Sequence, residues 1–227
     1  MKTQKNVLIV ASQSPYPTYH GGAFDVFEKL KGINSLGFSI DLVITTKFEI
    51  KQEHHTYMKQ FVDNLYIVQR KNRVVDLLKT KPIQYTSREK LREIELKKEY
   101  DFVLLESEYL SSILENKTLI YKKILFRVHN NETYYFKQLA NSSNNIFKKI
   151  YYWLDALKIK KVTDDILERA DRIWYISNKE LEQSSYSEKS IFLPPPINET
   201  FSKNESNNHT ILFIGSLFME NNVQGLD

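Results

Sequence analysis

The sequence predicts an α/β domain built on a doubly wound, Rossmann-like parallel sheet, and three observations carry that prediction. Short apolar runs, rich in β-branched and aromatic residues and bounded by polar ones, recur along the chain, as expected of strands buried on both faces. Between the first two runs, Ala23, Val26, Phe27, Leu30 and Ile33 repeat at helical spacing, with Glu28, Lys29 and Lys31 on other faces. Gly37 then stops the helix just before the next run. A strand, a helix and a strand in that order make a right-handed parallel crossover, and repetition of the unit makes the doubly wound fold.

In chain order the strands are expected at residues 7–10, 38–45, 65–68, 102–105, 124–128, 173–176 and 191–193. Two regions break the rhythm. Residues 70–100 are rich in Lys, Arg and Glu, and the part from Arg88 to Glu99 reads as a charged surface helix entered after Pro82. Residues 144–170 read as one long helix with Phe147, Ile150, Leu154 and Leu157 on a stripe and Lys148, Lys149, Lys158, Lys160 and Lys161 elsewhere. That stripe either packs on the sheet, leaving the lysines solvated, or forms a basic amphipathic surface for anionic lipid.

Pro194, Pro195 and Pro196 end the pattern, because consecutive prolines neither donate to a ladder nor continue a helix. The division expected from this is a Rossmann-like domain over residues 1–201, a polar linker over 202–209 and the start of a second domain over 210–227. The last piece holds one apolar run, 210–214, ending at Gly215 and Ser216. One strand with a short tail cannot bury itself, so the chain reads as ending just inside a truncated second domain.

Composition narrows the class. A hydrophobic fraction of 41% over 227 residues supports a sizeable core. The absence of cysteine excludes disulfides and thiolate chemistry and favours the cytoplasm. No apolar stretch reaches the length of a membrane span or a signal segment. A net charge of +4 suits phosphorylated ligands or an anionic membrane surface. It comes with no nucleic-acid-binding motif, so no nucleic-acid partner is expected.

Ligands of doubly wound sheets bind at the carboxyl ends of the strands. After the first strand, a dinucleotide fold would carry a tight G-x-G-x-x-G turn. Here a longer loop with Pro15 and Pro17 leads to Gly21 and Gly22, which argues against NAD or FAD. The glycine pair either caps the helix or opens its N-terminus to an anion. After the strand at 124–128 stand Arg127, His129, Asn130, Asn131 and Glu132. Alternation puts Arg127 and His129 on the same side of the chain, and Asn131 is placed to cap a helix carrying Glu132 in its first turn. These groups suit a sugar hydroxyl or a phosphate. Glu106 and Glu108 follow the strand at 102–105, as acceptor-binding groups or as helix-start carboxylates. His54 and His55 lie in a polar stretch without a metal-ligand pattern and are expected at the surface. No nucleophile elbow, P-loop or metal cluster is present in the sequence.

In order, the Pro-containing loop before Gly21-Gly22, the run Phe126-Arg127-Val128-His129-Asn130-Asn131-Glu132, Ile176-Ser177, Leu193-Pro194-Pro195-Pro196-Ile197 and Ile211-Leu212-Phe213-Ile214-Gly215-Ser216-Leu217 resemble the GT-B glycosyltransferases, within them the group called family 4. The resemblance implies two facing Rossmann-like domains, the N-terminal one holding mainly the acceptor. It implies a nucleotide-sugar donor, a saccharide or lipid-linked acceptor, and no metal or other cofactor. His129 would lie beside the donor sugar as the catalytic residue. Gly21, Gly22, Gly215 and Ser216 would face the donor, and Arg127, Asn130, Glu132 and Glu106 would position substrate. The pattern departs from that group at Ser216 and Asn222, where many relatives carry Arg and Lys, and the paired glutamates of a second domain are absent. Activity of this stretch alone is therefore not expected. A non-catalytic truncated binding module and a GT-B-type sugar-nucleotide epimerase are the alternatives.

Overall fold

The computed structural model describes residues 4–71 and 73–196. The runs at 202–209 and 210–214, with Gly215 and Ser216, lie outside the described residues. Among the described residues, seven strands form one parallel sheet in the order β3-β2-β1-β4-β5-β6-β7. They are β1 (Asn6–Ala11), β2 (Ser39–Thr46), β3 (Asn64–Gln69), β4 (Glu99–Leu105), β5 (Ile120–Val128), β6 (Arg172–Tyr175) and β7 (Ser190–Phe192). The helices are α1 (Gly21–Ser35), α2 (Gln52–Met58), α3 (Ile83–Thr86), α4 (Glu132–Ser142), α5 (Ile146–Arg169) and α6 (Asn178–Glu182), with 3-10 turns at Val74–Leu78, Glu89–Glu93, Glu108–Glu115 and Ser187–Lys189. The fold is the doubly wound α/β class that the sequence predicts.

Side-chain alternation along each strand feeds two cores. Val7, Ile9 and Ala11 of β1 join Ile40, Leu42 and Ile44 of β2 on one face, where Val26, Phe27 and Leu30 of α1 cover them. Leu8 and Val10 point the other way, toward Val103, Leu105, Phe126 and Ile173, under Leu91, Leu110, Ile113 and Ile166. α1 begins where His20, in extended backbone, accepts the Ala23 N–H through Nδ1 at 3.2 Å. It ends before Gly37, whose φ of 80° is a conformation glycine adopts without strain.

Three expectations need correction. The segment from Arg88 to Glu99 is not a surface helix. α3 stops at Thr86, and only a 3-10 turn at Glu89–Glu93 follows. The reason is tertiary: Leu91 and Leu96 are buried, and Asn116 Nδ2 takes the carbonyls of Leu91 and Ile94 at 2.9 and 2.7 Å, which a continuing helix would use internally.

The stripe of α5 does not pack on the sheet. Phe147, Ile150, Leu154 and Leu157 are exposed, while Ala156, Ile159, Val162 and Ile166 are buried. The helix carries apolar residues on two opposite faces, and the fold covers the other one. Finally, His54 is half-buried, its ring meeting Tyr16 edge-on at 5.5 Å.

Candidate functional site

The sheet order reverses between β1 and β4. The chain leaves β1 toward β2 and leaves β4 toward β5, so the loops beyond these adjacent strands diverge and leave a crevice. A cavity of about 610 Å³ lies there, lined from the loop after β1 (Ser12, Gln13), the start of α1 (Gly21, Gly22, Asp25), the segment after β4 (Glu106, Glu108, Tyr109) and the segment after β5 (His129, Asn130, Glu132).

One wall is a buried charge network. Asp25, on the inward side of α1, receives Lys29 Nζ from one turn further along at 2.8 Å, and the same ammonium reaches Glu106 Oε2 at 2.8 Å. Arg127, fully buried, gives Nη2 to Asp25 Oδ1 at 2.9 Å and Nε to Oδ2 at 3.2 Å. Its remaining arm donates to the Leu193 carbonyl at 2.5 Å. His129 sits where the network opens, with Nε2 at 3.0 Å from Glu106 Oε2 and Nδ1 at 3.8 Å from Asp25 Oδ2. Two carboxylates, Asp25 and Glu106, are thus met by two basic side chains, Lys29 and Arg127. Burial alone would raise the Glu106 carboxyl, but the Lys29 charge and the His129 contact override it and hold Glu106 down at about 2. Its second oxygen, Oε1, is buried without a partner among the described residues.

The facing wall is uncompensated. Glu108, in the first turn after the N-cap Ser107, accepts from Ser107 Oγ at 3.1 Å and Thr163 Oγ1 of α5 at 3.3 Å. Glu132 accepts the Tyr109 hydroxyl at 3.0 Å and the Asn130 side chain. Among the described residues neither glutamate has a salt-bridge partner. Burial, then the Glu132 charge, lifts Glu108 to about 7, and burial also raises Glu132. The guanidinium nearby, Arg88, is itself buried against Thr45 and the Gln84 carbonyl. Burial, then the Arg70 charge, lowers it to about 9.

His129, Glu106, Asn130, Glu132, Gly21 and Gly22 thus come together around one cavity. Arg127 does not join them at the surface of the crevice. It lies behind it, because its guanidinium is taken up by Asp25 and Leu193. Asn131 caps α4, accepting the Tyr134 N–H at 2.9 Å. The α1 cap is His20 and not a glycine. A Cβ on Gly22 would make only ordinary contacts with His20 and Gln13, and one on Gly21 would touch nothing. The fold itself therefore has no steric need for the pair, and both glycines line the cavity, while the next two amides of α1, those of Ala23 and Phe24, are taken by the His20 side chain and carbonyl. Sequence reasoning missed His20, Asp25, Lys29 and Arg88. Asp25 and Lys29 at four-residue spacing were the available signal, since Asp25 falls beside Val26 on the buried face.

Asp25, Glu106 and His129 also present three ligand atoms within 4.8 Å of one another. Lys29 Nζ already bridges the two carboxylates, so an ammonium fills the place a cation would take.

No family model matches the chain. A Klebsiella pneumoniae protein, described as an uncharacterized 44.6 kDa protein in a cps region, is 42% identical over 228 residues, which is 97% of this chain and 58% of that protein. The chain therefore spans less than two thirds of the length of the curated relative it matches. Similar solved structures include Phytolacca americana UGT2 complexed with UDP-2fluoro-glucose and pterostilbene, at 10% identity and a TM-score of 0.48 over 86% of this chain and 55% of that one. A Polygonum tinctorium UDP-glucosyltransferase has 8% identity and a TM-score of 0.45 over 90% and 56%. Alfalfa (Medicago sativa) vestitone reductase has 10% identity and a TM-score of 0.38 over 75% and 56%. Transferases and a reductase stand side by side at this distance.

Proposed function

We propose that the chain is the acceptor-side half of a glycosyltransferase that moves a sugar from a nucleoside-diphosphate sugar to a saccharide or lipid-linked acceptor in surface glycan synthesis. The observation that carries the reading is the cavity at the sheet's switch point, where the open N-terminus of α1 at Gly21 and Gly22 faces His129 held by Glu106. The motif series and the 42% identity to a protein of a cps region support it.

In this reading the α1 N-terminus receives the diphosphate, because backbone N–H groups and the helix dipole favour an anion there. The bond from the sugar's anomeric carbon to the diphosphate oxygen breaks, and a bond to the acceptor oxygen forms. The acceptor hydroxyl gives its proton to the departing diphosphate oxygen, so the products are the glycosylated acceptor and the nucleoside diphosphate. His129 borders the donor sugar, Glu106 fixes the imidazole, and Arg127 supports both through Asp25. Glu132 and Asn130 position the acceptor. No metal is required, since Lys29 occupies the carboxylate cluster. In this reading the seven-stranded sheet and its helices make up the acceptor-side domain. The protein works in the cytoplasm, at the inner face of the membrane.

Calorimetric titration of the chain with a panel of nucleoside-diphosphate sugars tests the reading, together with transfer assays on the longer protein that contains it. The chain should bind at least one donor, and Gly22→Val should weaken that binding about tenfold or more by filling the approach to the α1 amides. Loss of transfer by His129→Ala with binding retained would place His129 at the chemical step. A panel in which no donor is bound or consumed overturns the proposal.

A further inference from the structure

We infer that α5 lies flat on an anionic phospholipid surface, with Ile146, Phe147, Ile150, Trp153, Leu154 and Leu157 in the interfacial layer. The inference stands apart from glycosyl transfer, since it uses none of these residues in the cavity. All six are exposed, Phe147 to 80% and Ile146 to 60%. At about 100° per residue they fall on a single arc, roughly opposite the buried Ala156, Ile159, Val162 and Ile166. The apolar arc therefore runs along the helix for about three turns, or about 18 Å. Isolated apolar residues on a surface are ordinary, but a row of this size marks a contact.

Charge identifies what covers it. Lys149 and Lys160 fall on one flank of the arc, and Lys161 follows Leu157 along it; all three are exposed. Between residues 146 and 161 the single acidic side chain is Asp155, which is buried and takes the Tyr151 hydroxyl at 3.1 Å. The charged side chains that residues 146–161 expose are thus all basic, with Lys160 paired to Asp164 one turn further on and Lys149 and Lys161 outside any ion pair among the described residues. The core of a protein interface is depleted in lysine, whereas a lysine-flanked aromatic and aliphatic face matches the headgroup and acyl boundary of an anionic bilayer. The neighbouring turn Val74–Leu78 is tied to α5 by Lys158 Nζ donating to the Leu77 carbonyl at 2.9 Å, and it leaves Leu78 90% exposed on the same element. Among the described residues no helix is long and apolar enough to cross a membrane, so α5 rests on the surface.

Sedimentation of the full chain with phosphatidylcholine vesicles, and with vesicles in which phosphatidylglycerol replaces a third of the lipid, tests this. The chain should pellet about tenfold more on the anionic vesicles, and raised salt should reverse that preference. Its tryptophan emission should shift to the blue on binding, and the shift should vanish in Trp153→Phe. Replacing Phe147, Leu154 and Leu157 by Ser should cut binding about tenfold with the circular-dichroism spectrum unchanged. Should that variant fail to fold, quenching of the unsubstituted protein by brominated phosphatidylglycerol decides: quenching that is lost in Trp153→Phe supports the inference, and its absence overturns it. Equal, negligible pelleting on both vesicles also overturns it. So does a self-associated chain that the three serines turn monomeric without vesicle binding in either form, since the arc would then be an interface between copies.

Discussion

On one wall of the cavity, Asp25 and Glu106 are buried with Lys29 between them and Arg127 behind. On the other, Glu108 and Glu132 are buried among hydroxyls and an amide, without an ion pair. The residue type is the same and the depth is similar, yet the carboxyls respond in opposite directions. Glu106 is held at about 2 and Glu108 is lifted to about 7. Burial raises both; what separates them is whether a cation lies within reach. The first wall keeps Glu106 ionised across the neutral range and serves as scaffold for His129. The second, through Glu108, can take up or release a proton near neutrality.

Removing a cation from the compensated wall should have the largest effect. Arg127→Met strips Asp25 of its bidentate partner and frees the Leu193 carbonyl, so it should destabilise by about 3–5 kcal/mol. Replacing Asp25 by Asn in the same chain should recover part of that loss, as read from denaturant midpoints. A full loss in the double variant would mean that Arg127 matters through packing alone.

The uncompensated wall predicts a gain. A carboxyl whose pKa is raised by folding penalises the native state as pH climbs from the ordinary 4.5 through 7, because the native state then binds the extra proton. Glu108→Gln abolishes that penalty. The variant should match the parent near pH 4.5 and exceed it at pH 8 by about 3 kcal/mol. The Glu106 contribution has the opposite sign, being present above 4.5 and lost as pH falls toward 2. Urea melts at pH 5 and pH 8 separate the two, and a flat difference between Glu108→Gln and parent would remove the contrast.

A smaller effect is expected at the N-cap of α1. His20→Ala loses the side-chain acceptor for the Ala23 N–H and should cost about 1 kcal/mol. His20→Asn, which can still accept that bond, should restore most of it in the same denaturation assay.

The strands were readable because burial on both faces leaves uninterrupted apolar runs, and α1 was readable because one face of it is covered. The strand-end cluster around His129 was readable for a related reason: polar residues that directly follow a buried strand have to lie at its open edge. What stayed hidden depends on partners far along the chain. The Arg127–Asp25 pair joins residues 102 apart, and nothing around Asp25 announces it. Arg88 reads as solvated charge until Thr45 is found against it. In α5 the periodicity marks the stripe of Phe147, Ile150, Leu154 and Leu157, whereas the fold covers Ala156, Ile159, Val162 and Ile166, since that choice belongs to the neighbours and not to the helix.

The Leu193 carbonyl held by Arg127 is more than a detail of packing. Along the chain, 66 residues separate the two; through the fold they are one hydrogen bond apart. The polypeptide thus passes into Pro194 from a point moored to the same guanidinium that steadies Asp25, and through it Lys29 and Glu106. An atom beside the cavity and the backbone after β7 share one fastening, so what loosens the cavity's charges also loosens the anchorage of the departing chain.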